Sequence, residues 1–250
     1  MATCLDYAKM AYATYFTESR QYYEEPSGFM VDDWKVQKFV KGSAFGSGYQ
    51  GAIYVKNRDV VVSCCGTNPG QTGKLLQDLA ADFKIALRLL PTQAQGAIKM
   101  VKEAKNIAGA HGRVSVTGHS LGGGLAQVCG VAENVPFATF NAPAMRSVIA
   151  AASLPQIPRI LPGSSIINAV IRFSGSGASN LPENTKVGLN FRLESDRVST
   201  HMLDNDHIGT YVMMPNVLNE TGLIGAHGKD NAWQAILQSD WAFIDPFEAL

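Results

Sequence analysis

The chain has 250 residues, and its 21 Lys and Arg balance its 21 Asp and Glu, so the formal net charge is zero. Hydrophobic residues make up 46%, which excludes a disordered or low-complexity chain, and the length is enough to bury a full core. A zero charge balance offers no general attraction to phosphate backbones, so no nucleic-acid partner is expected.

Residues 2–23 place Leu5, Ala8, Tyr12, Tyr15 and Phe16 at helical spacing, which predicts an amphipathic opening helix. Asp6 and Lys9 interrupt the first ten residues, so they do not read as a secretory signal. Gly51 to Val55 and Val60 to Cys65 read as strands joined at Asn57-Arg58-Asp59, a hairpin. Residues 66–70 are loop chemistry, and 74–90 return to helical spacing until Pro91 stops them. Residues 94–110 predict a second helix, ended by Gly109 and Gly112. Short strands follow at Val114 to Thr117, Phe137 to Phe140 and 187–193, with a helix from Leu121 to Ala132. Asn231 to Phe243 has the spacing of a last helix, with Asp230 as its N-cap. This alternation predicts an α/β fold whose mainly parallel sheet is covered on both faces.

Residues 145–186 break the rhythm with Pro155, Pro158, Pro162, Pro182 and the run Ser174 to Ser179. They read as an insert within a single domain spanning 1–250, either a cap over a site or an excursion of the core. No apolar run is long enough to span a membrane. Cys4, Cys64, Cys65 and Cys129 form no C-x-x-C or Cys/His cluster, so they read as buried free thiols suited to a reducing compartment, and no metal is expected.

Gly118-His119-Ser120-Leu121-Gly122 fits G-x-S-x-G, the nucleophile elbow. The pattern has a steric cause. A serine at the tip of a sharp strand-to-helix turn exposes its hydroxyl, while side chains at the flanking glycines would clash. The apolar strand before it and the helix after it are the context the motif requires. A helix starting there also aims free N–H groups at a developing oxyanion. Serine needs a base, and the base needs an orienting acid. The chain order should be Ser, acid, His. Asp196 follows the strand ending at Leu193 and is the expected acid, with Glu194 its rival and Asp204 and Asp206 more remote. His227, in a loop before the last helix, is the expected base, with His207 the alternative. The side chain of His119 should project away from the attacked carbonyl, and His111 reads as a loop residue.

Taken in order, these segments resemble the class 3 lipases, which are α/β-hydrolases. Gly118 to Gly123 resembles their elbow, and Val60 to Thr67 their strand ending in glycine and Ser or Thr, although Cys65 stands where arginine is usual. Gln77 to Asp82 resembles an acidic pair that follows, without its usual tryptophan. Phe140-Asn141-Ala142-Pro143, Asp196-Arg197-Val198-Ser199, His207-Ile208-Gly209 and Ala226-His227 are similar to later family segments, so the resemblance covers roughly residues 50–245. It implies a Ser120–His227–Asp196 triad, with the N–H groups of Thr67 and Leu121 as oxyanion hole and no cofactor.

The implied function is a lipase or phospholipase working through an acyl-enzyme. The isoleucine- and leucine-rich insert and the low charged fraction of 17% favour contact with a membrane surface. A lipid-directed enzyme without a leader further suggests a bacterial effector, made in the cytoplasm and exported by a specialised secretion system, with a cognate inhibitor as partner. The alternative from another class is a non-catalytic lipase-like binding module.

Overall fold

Val60, Val61 and Val62 show how the sheet is covered. Val60 and Val62 point into one core with Leu125, Met100 and Val101, while Val61 points into the other with Met10, Phe140 and Ile236. Burial on both faces explains why this strand is a continuous apolar run rather than an alternating one.

The computed structural model describes residues 1–15, 30–42, 48–66, 79–146, 149, 188–201 and 207–248. Eight strands form one sheet in chain order: β1 Met30–Val31, β2 Trp34–Val40, β3 Gly51–Lys56, β4 Asp59–Cys64, β5 Arg113–His119, β6 Phe137–Phe140, β7 Gly188–Leu193 and β8 Thr210–Met214. Pairs from β1 to β4 are antiparallel, and pairs from β4 to β8 are parallel. The expected hairpin is β3–β4, in register from Gly51 opposite Cys64 to Lys56 opposite Asp59. Helices α1 Cys4–Ala13, α2 Leu79–Ala108, α3 Leu121–Glu133, α4 Arg197–His201, α5 Gly222–His227 and α6 Lys229–Leu237 complete the described elements, with a 3-10 turn at Gly109–His111. Helices α2 and α3 pack on one face; α1 and α6 pack on the other. The expected α/β layering is therefore present.

Several local expectations are corrected. Pro91 does not end a helix, because α2 runs through it. Proline removes its own backbone donor, but residues beyond it (Ala94, Ala97, Val101, Ala104) bury a continuous stripe that carries the helix on. The opening helix is Cys4–Ala13, started by a capping box in which Thr3 and Asp6 exchange bonds, Thr3 N to Asp6 Oδ2 at 2.9 Å and Asp6 N to Thr3 Oγ1 at 3.2 Å. The last helix ends at Leu237, and Gly228, not Asp230, is its N-cap. Strands β1, β2 and β8 are additional to those the sequence pattern predicts. The insert 145–186 lies outside the described residues except Met145, Arg146 and Ile149. All four cysteines are buried, and none is joined in a disulfide. Among the described residues no helix is long and apolar enough to cross a membrane.

Because α1 braces β5 and β6, its cap matters to the site above them. Thr3→Ala is expected to cost about 1 kcal/mol, lowering the melting temperature by roughly 2–4 °C, as read by thermal denaturation.

Candidate active site

Strand β5 ends at His119, and α3 begins at Leu121, so the whole reversal falls on Ser120. Its backbone sits at φ 58° and ψ −133°, a conformation that L side chains rarely adopt. The flanking glycines are obligatory for close approach. A Cβ on Gly118 would strike the backbone of Gly122, and one on Gly122 would strike the carbonyl of Cys64 and the amide of Gly66. Gly123 likewise lies against Thr139 and Ala142, which lets α3 settle onto β6.

Three strand ends then converge. Ser120 follows β5, Asn141 follows β6 and Asp196 follows β7, at the carboxyl edge of the parallel strands. Asp196 is fully buried, whereas Glu194 is exposed. Its carboxylate caps α4, accepting from Val198 N at 3.0 Å and Ser199 N at 3.1 Å. Burial pushes its pKa up, but the His227 imidazole and the hydrogen bonds from His227, Ser199 and Val198 outweigh that and hold the carboxyl below the ordinary carboxylate range. Asp196 is therefore an anion at neutral pH.

His227 bridges the gap. Its Nδ1 lies 2.9 Å from Asp196 Oδ1, and its Nε2 lies 2.7 Å from Ser120 Oγ. An ionised carboxylate only accepts, so Nδ1 carries the proton and Nε2 presents its lone pair to the serine hydroxyl. The expected loop around His227 is instead the short helix α5, with His227 as its last residue. Asn141, held at φ 48°, ties the strands beneath: its Oδ1 accepts from Leu193 N at 3.0 Å, and its Nδ2 donates to the His227 carbonyl at 3.4 Å.

Ser120, His227 and Asp196 thus meet in one hydrogen-bonded line. Leu121 opens α3, so its N–H has no intrahelical partner and lies beside the serine. Thr67, Asp204 and Asp206 lie outside the described residues, as do Gln77 and Asp78. His207 is buried away from this line, its Nε2 donating to the Ser199 carbonyl at 3.0 Å. His111 is exposed on the 3-10 turn, and His201 lies in α4. Two participants in the hydrogen-bond network were not singled out from sequence. In the sequence Asn141 stands out only as part of a motif and Tyr15 only as an apolar position, because their polar contacts join chain segments far apart.

His119 is buried beside His227, their ring centroids 5.0 Å apart. Burial and the nearby His227 charge push its pKa down to about 3, as does Lys229, against opposing contributions from the His227 backbone and Asp196. An unfolded histidine binds its proton near pH 6.5, so the folded state loses stability as pH falls from about 6.5 towards 3, by up to about 1.4 kcal/mol per pH unit. His119→Gln is expected to remove that slope from the pH dependence of denaturant unfolding.

Several solved structures share this architecture. Lip2 lipase from Yarrowia lipolytica matches with a TM-score of 0.51 at 13% identity, covering 84% of this chain and 77% of its own. A triacylglycerol lipase from Penicillium expansum matches with a TM-score of 0.49 at 15% identity, covering 85% and 79%. At such identities the likeness is one of fold. No curated protein matches the sequence. The family model described as Tle-like phospholipase domain, of the phospholipase-like family, matches residues 7–160, more than half of the chain and including the elbow. The family match makes the protein a carboxylic ester hydrolase with a serine nucleophile. Its chain belongs to the phospholipase-like family, through the Tle-like phospholipase domain.

Proposed function

We propose that the protein hydrolyses a carboxylic ester of a phospholipid, with Ser120 as nucleophile, His227 as general base and acid, and Asp196 as the orienting acid. The observation that carries this reading is the unbroken line from Ser120 Oγ through His227 to Asp196, at 2.7 Å and 2.9 Å. A binding module has no need of that line.

Ser120 Oγ attacks the ester carbonyl while its proton passes to His227 Nε2, and Asp196 stabilises the resulting imidazolium. The carbonyl oxygen becomes an anion, held by the N–H groups of Leu121 and Thr67; one such donor is worth about 3 kcal/mol. Collapse expels the alcohol, which takes the proton from His227 and leaves an acyl group on Ser120. Water, deprotonated by His227, then cleaves the acyl-enzyme, releasing the fatty acid and restoring the serine hydroxyl.

Within this proposal the chain acts as one domain, with 145–186 a cap contributing to membrane-surface contact. A phospholipase that attacks bilayers endangers the cell producing it. The proposal therefore extends to an effector aimed at another bacterium and held off by a cognate inhibitor. Harmless expression in a susceptible periplasm, for enzyme active in vitro, would remove that extension.

The functional test is hydrolysis of a lipid panel with products identified by mass. Wild type is expected to release fatty acid and lysophospholipid from phospholipid vesicles, whereas Ser120→Ala releases neither. Cleavage of neutral glycerides alone would replace phospholipid by glyceride as the substrate.

A further inference from the structure

His119 belongs to the elbow motif, but its position in the motif does not explain its contacts. Its Nε2 lies 2.7 Å from the main-chain carbonyl oxygen of His227. A carbonyl only accepts, so Nε2 must carry a hydrogen. The buried ring is neutral, which leaves Nδ1 as an acceptor. The Tyr15 hydroxyl lies 3.1 Å from that Nδ1 and 3.1 Å from the His119 carbonyl, sharing its one hydrogen between them. It also fills the space against Gly66, where a Cβ would strike it. Tyr15 thus selects the tautomer that lets His119 donate.

We propose that His119, oriented by Tyr15, is a positioning residue that holds His227 in line with Ser120 by gripping its main-chain carbonyl. The inference rests on the reading of His227 as the base. Three observations support it. First, His227 is the last residue of a six-residue helix, so its carbonyl has no partner within that helix. His119 and Asn141 supply donors to it. Second, the tilted rings lie 5.0 Å apart, so His119 limits both the main chain and the ring of the base. Third, the anchor is rigid: His119 ends β5, at the heart of the sheet, and Tyr15 packs edge-on against it at 5.8 Å. A histidine suits this place because it carries a donor and an acceptor at separate ring positions and stays uncharged beside a base that becomes cationic. Misplacement by about 1 Å costs on the order of 100-fold in rate, so the grip belongs to kcat rather than to substrate binding.

The test measures kcat and KM on a short-chain nitrophenyl ester for the full chain, per active site counted with a fluorophosphonate. His119→Phe keeps a ring and removes both bonds; it is expected to lower kcat by about 10- to 100-fold with KM changed less than about twofold. His119→Gln keeps an N–H directed at the same carbonyl and is expected to recover most of that loss. Tyr15→Phe is expected to lower kcat by roughly 3- to 10-fold. Full kcat per site in His119→Phe, or no recovery in His119→Gln, would overturn the proposal. If His119→Phe does not fold, Tyr15→Phe decides: lowered kcat at constant KM supports the grip, and unchanged kcat removes it. Undiminished hydrolysis by Ser120→Ala would instead remove the reading of the triad, a result independent of these comparisons.

Discussion

Ser120→Ala is expected to lower kcat for ester hydrolysis by about 10⁶-fold, equivalent to about 8 kcal/mol of transition-state stabilisation. The size follows from the chemistry. Without Oγ no acyl-enzyme forms, and His227 and Asp196 have no partner to activate, so the three residues fail as a unit. The substitution leaves the fold intact, because Ser120 Oγ bonds His227 and supports no core contact. Strain at this position separates function from stability. Alanine at φ 58° is as constrained as serine, whereas glycine is not. Ser120→Gly should therefore be as inactive as Ser120→Ala yet more stable by roughly 1 kcal/mol, read by denaturant unfolding.

Asp196→Asn is expected to lower kcat by about 10⁴-fold. The amide has nearly the shape of the carboxylate but lacks its charge, so it neither fixes the proton on His227 Nδ1 nor stabilises the imidazolium. Asparagine caps helices as well as aspartate, so the bonds to Val198 N and Ser199 N can persist and the loss falls mainly on catalysis. Stability should respond to pH instead. Because the Asp196 carboxyl is held below its ordinary range, its contribution is fully present above about pH 4 and is lost as pH falls through the lowered value. Asp196→Asn should flatten that acid limb, measured by unfolding at a series of pH values.

The nucleophile was readable from sequence because its constraints are local. Gly118, Ser120 and Gly122 stand within five residues; Gly118 answers a collision within the turn, and Gly122 one with the neighbouring strand end at Cys64 and Gly66. Asp196 was reachable through one more step, since the strand before it alternates and ends at Leu193. The alternative Glu194 could be set aside only once burial was known, for Glu194 is exposed and Asp196 is not. The continuity of helix α2 is not legible in sequence, because Pro91 is a strong local stop while the stripe that overrides it is tertiary. Strand β8 is not legible in sequence, because Tyr211 and Met213 are exposed and its apolar residues do not mark a buried face. The grip of His119 on His227 joins residues 108 positions apart, and Tyr15 reaches His119 across 104. No periodicity or motif encodes such a bond; it exists only once β5 and α5 are placed side by side.

All of this rests on Ser120 being made nucleophilic by His227. Treatment with a fluorophosphonate, followed by digestion and mass mapping, tests that directly, since the probe needs an activated serine and no particular lipid. The account predicts one adduct per chain, on the peptide carrying Ser120, formed rapidly in the wild type and suppressed in His227→Ala. A folded wild-type protein that stays unlabelled, or an adduct that forms at undiminished rate without His227, would contradict it.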